Sequence, residues 1–227
     1  MSTFQIWDPD LAPASPSAYD DEFNGGPGLG GIWTTVNWGS LLASDVNTTI
    51  PGCLYEKYYS ASETTLITAE QAIPAGDFTV FTKIASSAVE GTVTASGIGF
   101  ILSDGVTAGA GEQYIGWSNY NAGNRNTASA YAYTNFTTMG TGTDSYTPHI
   151  NYLRLRRSGT SYYLATSTDG KTWGEGGALP LTFTPTYFGL MVRANPGSTQ
   201  YVIFSFEFFR YSPSATAQLG GYRTYVS

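Results

Sequence analysis

Residues 154–173 read RLRRSGTSYYLATSTDGKTW. Leu153 and Leu155 alternate with Arg154 and Arg156, the pattern of a half-buried strand with a charged outer face. Ser158-Gly159 marks a tight turn, and Tyr162 to Ser167 returns as a second strand. Asp169-Gly170 is a two-residue hairpin signal, because glycine takes the positive φ that such turns demand. Trp173 follows where it can cover the end of a sheet. The stretch predicts a meander of antiparallel strands.

The same period-two alternation recurs along the chain, while helical periodicity is nearly absent. Strands are predicted over 32–38, 53–59, 64–69, 77–85, 97–103, 112–120, 129–136, 150–157, 161–167, 187–194 and 201–211. Gly, Pro, Asn or Asp punctuates most of the gaps. Antiparallel strands in this number imply a two-sheet β-sandwich. No repeat of blade length occurs, which argues against a propeller.

The length of 227 residues fits one β-domain. Charged residues make up 12%, about half the usual ~25%, so Ser, Thr, Asn, Gly and Tyr must form most of the polar surface. The net charge of −7 makes nucleic acid a poor partner. Cys53 is the only cysteine and forms no internal disulfide. The N-terminal residues lack the basic and apolar regions of a signal peptide. Two explanations stay open: a leader removed, or release by lysis inside a virus particle. No stretch approaches the ~18–20 apolar residues of a membrane helix.

Three units are expected. Residues 1–18 form an extended Pro-rich arm, with Pro9, Pro13 and Pro16 denying ladder bonds. Its apolar residues Phe4, Ile6 and Trp7 have no evident strand to join. They anchor the arm on another subunit or pack it on its own domain. Residues 19–211 form the sandwich, and 212–227 a second irregular tail.

STDGKTW, residues 167–173, is similar to the Asp box of sialidase propellers, S-x-D-x-G-x-T-W, but is one residue short and occurs once. That box is a turn-stabilising device. A second likeness covers residues 19–211. YDDEFNGG and GIWTTVNWGS come first, then DFTVFTKIA, GIGFILSDG, YLRLRRSGTSYYLATSTDGKTW, YFGLMVRA and YVIFSFEFFRY. Their order resembles the concanavalin A-like lectin/glucanase superfamily. The resemblance implies an all-β fold, an antiparallel two-sheet jelly-roll β-sandwich, here with irregular N- and C-terminal arms. In style the chain also resembles bacteriophage virion structural proteins.

Retaining glucanases of this superfamily carry E-x-D-x-x-E on one strand, which places an acid and a nucleophile ~5–5.5 Å apart. No glutamate here has an acid two positions later. Asp20, Asp21 and Glu22 are adjacent, so their side chains alternate between faces; they read as a turn. His149, the only histidine, precedes a strand without a G-x-S-x-G elbow or a second histidine. No catalytic residue, metal or cofactor is expected, and the chain is read as a non-enzyme.

A glycan site is readable in residues 112–136. If Ile115 and Trp117 face the core, Tyr114, Gly116, Ser118 and Tyr120 face out, with Gly116 leaving a shelf beside Tyr114. Tyr131 and Tyr133 share a face across the loop, and Asn119, Asn124 and Arg125 supply polar groups. Aromatic rings stack on sugar C–H faces while such groups bond the hydroxyls. The same aromatics also serve simply as good strand formers.

The main expectation is a non-catalytic virion structural protein, a capsid decoration or tail appendage. The arm would bind other virion proteins, a homo-oligomer (a trimer) would form, and the lectin-like head would touch cell-surface glycans weakly. Its place would be the virion surface. The alternative is an extracellular carbohydrate-binding module or lectin with its leader removed. A third reading is a divergent glycoside hydrolase. No membrane insertion is expected.

Overall fold

The alternation on either side of Gly159 builds the hairpin that it predicts. In the computed structural model Ser158 pairs with Ser161, and Gly159 takes φ +60° as the first residue of a two-residue turn, the place where a type II′ turn puts glycine. The structure describes residues 3–226 except 14, 27, 37–40, 60–64, 88–95, 105–113, 122–125, 136–137, 140–142, 147–151, 180, 182 and 195–200. The side chains of Phe4, Trp7 and the strand residues between 114 and 146 also lie outside the described residues.

Two antiparallel sheets stack face to face. The back sheet runs β14 (Gly174–Ala178), β13 (Ser161–Ser167), β12 (Tyr152–Ser158), β6 (Phe78–Ser87), β16 (Tyr201–Ser212), β4 (Leu54–Tyr59), β3 (Leu41–Val46). The front sheet runs β10 (Thr138–Met139), β9 (Asn126–Asn135), β8 (Tyr114–Asn121), β7 (Ser96–Ser103), β15 (Tyr187–Ala194), β5 (Thr65–Ala72), β2 (Thr34–Val36). The short β11 (Thr143–Tyr146) also pairs with β9. From β4 to β7 the chain crosses between sheets at every step, as the jelly roll requires.

Between the sheets lies one apolar layer. Phe78, Val80 and Ile84 of β6, Leu153 and Leu155 of β12 and Leu164 of β13 meet Ile98, Phe100 and Leu102 of β7 and Phe188, Leu190 and Val192 of β15. Burial of this kind stabilises by roughly 25 cal/mol per Å².

One irregularity decides which side chains leave that layer. Phe206 pairs with Ile84 but Phe208 with Lys83, so Glu207 is an extra residue in β16. Such a bulge reverses the alternation beyond it. Phe204, Phe206 and Phe209 therefore enter the main core, while Phe208 turns outward. There it joins Phe81, Tyr152 and Leu219, with Trp173 and Ala217 packed alongside.

Over this outer face both termini fold back, and three expectations are corrected. The first is that Phe4, Ile6 and Trp7 have no strand to join. They lie in β1 (Thr3–Asp8), which pairs along its length with β17 (Gly221–Val226). The second is that residues 212–227 are irregular throughout; β17 is a strand. Alternation carries on past the prolines, which sit outside both segments. The third is that Asp169-Gly170 closes a two-residue hairpin. Residues 168–173 form a longer connection between β13 and β14.

That connection is organised by its own side chains. The Ser167 hydroxyl accepts from the Asp169 and Gly170 amides at 3.2 and 2.9 Å. Asp169 Oδ1 accepts from the Lys171 and Thr172 amides at 2.9 and 2.8 Å. Thr172, Lys171 and the Ser167 hydroxyl hold the Asp169 carboxyl down to about 2. Gly170, at φ +68°, lets Pro9 dock: a Cβ there would stand 2.5 Å from Pro9 Cβ. The Asp-box-like stretch is a turn, and it seats the N-terminal segment.

Candidate functional site

The front sheet carries the face expected to bind a glycan. On β7, Ile98, Phe100 and Leu102 point into the core, so Gly99, Ile101 and Ser103 occupy the opposite side of the pleat. One cross-strand row on that side runs Thr34, Glu70, Gly189, Ile101, Gly116, Tyr131. The next runs Ala72, Tyr187, Ser103, Tyr114, Tyr133. Ile115 stands opposite the core residue Leu102, as the expected register of β8 demands.

Two hydroxyls fix an acid in these rows. Thr68 Oγ1 donates to Glu70 Oε1 at 2.6 Å, and Ser103 Oγ donates to Glu70 Oε2 at 2.5 Å. Glu70, Thr68, Ile101 and Ser103 are all fully buried, so this part of the face is a floor. Gly189 allows the close approach of β5: a Cβ at that position would lie 2.0 Å from the Ala69 carbonyl oxygen. The sequence reading missed Glu70. Its only signal is a lone acid within the strand TLITAEQA.

The strand pairing brings three of the expected residues together, Tyr114, Tyr131 and Tyr133; Tyr120 lies further along β8, and Asn119 takes the alternate position of the pleat, with Ile115 and Trp117. Tyr114 is opposite Tyr133, Asn119 opposite Ala128, Tyr120 opposite Thr127, and Tyr131 opposite Gly116. Asn124 and Arg125 belong to the β8–β9 connection and lie outside the described residues, as does His149.

The acids of the DDEF turn are committed to the fold. Asp20 accepts from Ser17 and from the Tyr211 amide, the latter at 2.6 Å. Asp21 exchanges backbone bonds with Phe209 and accepts from Trp33 Nε1 at 2.8 Å. Glu22 takes Arg210 in a fork of 2.6 and 2.8 Å. The DDEF turn is thus a clamp between the N-terminal segment, β16 and Trp33. Phe23 ends it at φ +47° and is fully buried, a conformation that a bulky residue adopts only where its surroundings enforce it.

Two carboxylates do meet on the outer back face. Asp10 and Glu207 both hold Lys83 Nζ, at 2.9 and 2.8 Å, and Asp10 also accepts from the Tyr152 hydroxyl at 3.0 Å. Burial alone would lower the Lys83 ammonium, but the bonds to Glu207 and Asp10 overcome this and raise it. Burial and the Asp10 charge push Tyr152 up to about 12. A lysine bridges these two acids, unlike the open pair that glycoside cleavage uses. Glu175 is likewise gripped by Arg156 and Arg154, which stack on Tyr163 and Trp173 with guanidinium carbons 3.8 and 4.9 Å from the ring centres. Cys53 is buried, and burial pushes its thiol up, which makes it a poor nucleophile.

A cleft of about 710 Å³ opens between residues 11–17 and 210–220, walled by Leu11, Pro13, Phe81, Tyr211 and Leu219. The cation beside it, Arg210, is already held by Glu22.

With this architecture the chain can be set beside solved structures. A GH43 protein, BlXynB from Bacillus licheniformis, superposes with a TM-score of 0.60 at 14% identity, over 88% of this chain. The metal-free exoplasmic/lumenal domain of VIP36 gives 0.53 at 11% identity, over 92% of this chain and 97% of that one. The Emp47p carbohydrate recognition domain gives 0.51 at 11%, over 88% and 98%. The fold is an antiparallel β-sandwich of the lectin-like kind. The chain spans 40% of the length of the GH43 protein. No family model matches the sequence, and no curated protein matches it.

Proposed function

We propose that the chain is a non-catalytic carbohydrate-binding domain whose ligand lies along β8 and β9. The register of these strands carries the reading: Tyr114 faces Tyr133 across the ladder, and Gly116 faces Tyr131. A sugar ring needs an aromatic surface with room beside it, and the glycine supplies the room. The buried Glu70, fixed by Thr68 and Ser103, keeps the floor under these rows rigid. The likeness to a carbohydrate recognition domain supports the same reading.

A glycan array is the test, followed by Tyr131→Ala on the best ligand. The expected result is an affinity loss of about tenfold or more with an unchanged melting temperature. An array without ligands would remove the proposal. Turnover of a polysaccharide, abolished by changing one acid, would replace it with the glycoside hydrolase reading.

An extracellular module is favoured over a particle component. The virion reading leaned on a free N-terminal anchor, and Thr3–Asp8 is engaged with the chain's own Gly221–Val226. Neither the fold nor its neighbours supports a virion role.

A further inference from the structure

The ribbon of β1 and β17 pairs with neither sheet among the described residues. A lone two-stranded ribbon is marginal in water, and a third strand or an apolar cover is what secures it. Ile6 is 51% exposed and Tyr225 43%; among the described residues only Ile32 joins them as an exposed large hydrophobic. Phe4 pairs with Tyr225 and Ile6 with Arg223, so Ile6, Arg223 and Tyr225 share one face of the pleat. The ribbon's two charges, Asp8 and Arg223, pair with each other. It is therefore a neutral element on a chain of net charge −7.

We propose that a second copy of this chain supplies the missing strand, through antiparallel pairing of β17 with β17 about a two-fold axis at Thr224. In that register Arg223 stands opposite Tyr225 of the second copy, and Tyr225 opposite its Arg223. Two cation–π contacts form together, and Nε of each guanidinium stays on Asp8. A two-fold interface requires this kind of self-complementarity. The other edge does not offer it. β1 contains no cation (TFQIWD), and pairing β1 of one copy with β17 of the next would run head to tail and stay open-ended. The product is a four-stranded sheet joining two lectin-like heads. This inference is independent of the carbohydrate reading, although two joined heads would raise avidity for a repeating glycan.

Sedimentation velocity of the full chain across a concentration series tests it. The expected result is a monomer–dimer equilibrium. Tyr225→Lys places a lysine opposite Arg223, and like charges directly opposite destabilise a ladder, so the dimer should weaken by about tenfold or more. Tyr225→Glu places a carboxylate there and should keep the dimer. Position 225 is exposed, so thermal melting at concentrations too low for the dimer should be unchanged in each variant. A monomer at every concentration, a trimer, or equal behaviour of the lysine and glutamate variants would overturn the proposal.

Discussion

Glu22→Ala is expected to destabilise the protein by about 3–5 kcal/mol, the usual result of leaving a buried charge without its partner. The stranded charge is Arg210, whose side chain is 8% exposed. Its guanidinium lies 3.8 Å from the Phe208 ring centre and also donates to the carbonyls of Pro9, Asp10 and Leu11, at 2.9 Å for Asp10. Those carbonyls bring in partial charge only, so they cannot replace the carboxylate. The double variant Glu22→Ala/Arg210→Met should recover part of the loss, because an apolar pair of similar volume is often neutral where a broken ion pair is not. Denaturant titration followed by tryptophan emission measures both. Additive losses in the double variant would show that the fork is not the unit that matters.

The same contacts bear on the N-terminal segment. Arg210, Lys83 and Tyr152 each bond to residues 9–11, and Pro9 fills the notch at Gly170. Residues 8–11 are therefore part of the outer back face. Deleting 1–18 removes acceptors from two cations, so the sandwich left behind should be less stable. The picture of a detachable arm gives way for this reason.

Alternation made most of the sandwich legible. It marks β6, β12, β13, β15 and β16 because one face of each meets a continuous apolar layer. It fails where the backbone rather than the side chain holds the information. GEGGA in β14 has no apolar face to betray a strand, and all five of its residues are exposed. FSFEF in β16 reads as uninterrupted alternation, and only the pairing with β6 shows that Glu207 is extra. The bulge in turn sends Arg210 to the outer back face beside Phe208, against Glu22, a contact spanning nearly the whole chain. At the candidate site, the register that sets Ile115 opposite Leu102 followed the alternation of β8. The burial of Glu70 did not, because what fixes it is Ser103, two strands away in the sheet.

Stability should fall as pH rises from about 4.5 to about 8, and Glu56 is the reason. It lies in β4 between Ser44 and the core residue Phe204 in the ladder. It is 2% exposed, and its Oε2 has no hydrogen-bond partner among the described residues. Desolvation in this apolar setting pushes the carboxyl from its ordinary 4.5 up to about 8. Below pH 4.5 both the folded and unfolded chains hold the proton, and Glu56 imposes no ionic penalty. Between the two values the unfolded chain ionises and the folded chain does not, so unfolding becomes easier with each step in pH. Above about 8 both are charged and the penalty levels off. At one pKa unit per ~1.4 kcal/mol, the loss at neutral pH is on the order of 3 kcal/mol.

Glu56→Met should remove this slope and raise stability most on the alkaline side. Glu56→Gln should flatten the slope too, yet gain less, because an amide in the same place still lacks a partner. The acid limb should persist in both variants. Glu175, held low by Arg156 and Arg154, and Asp169, held low by the Thr172 and Lys171 amides, still lose their favourable bonds as pH falls through their depressed values. Denaturant midpoints measured across pH separate the two limbs. A wild-type profile that is level from pH 5 to 8, with no gain in the methionine variant, would mean that Glu56 finds a partner in the folded protein and is ionised there.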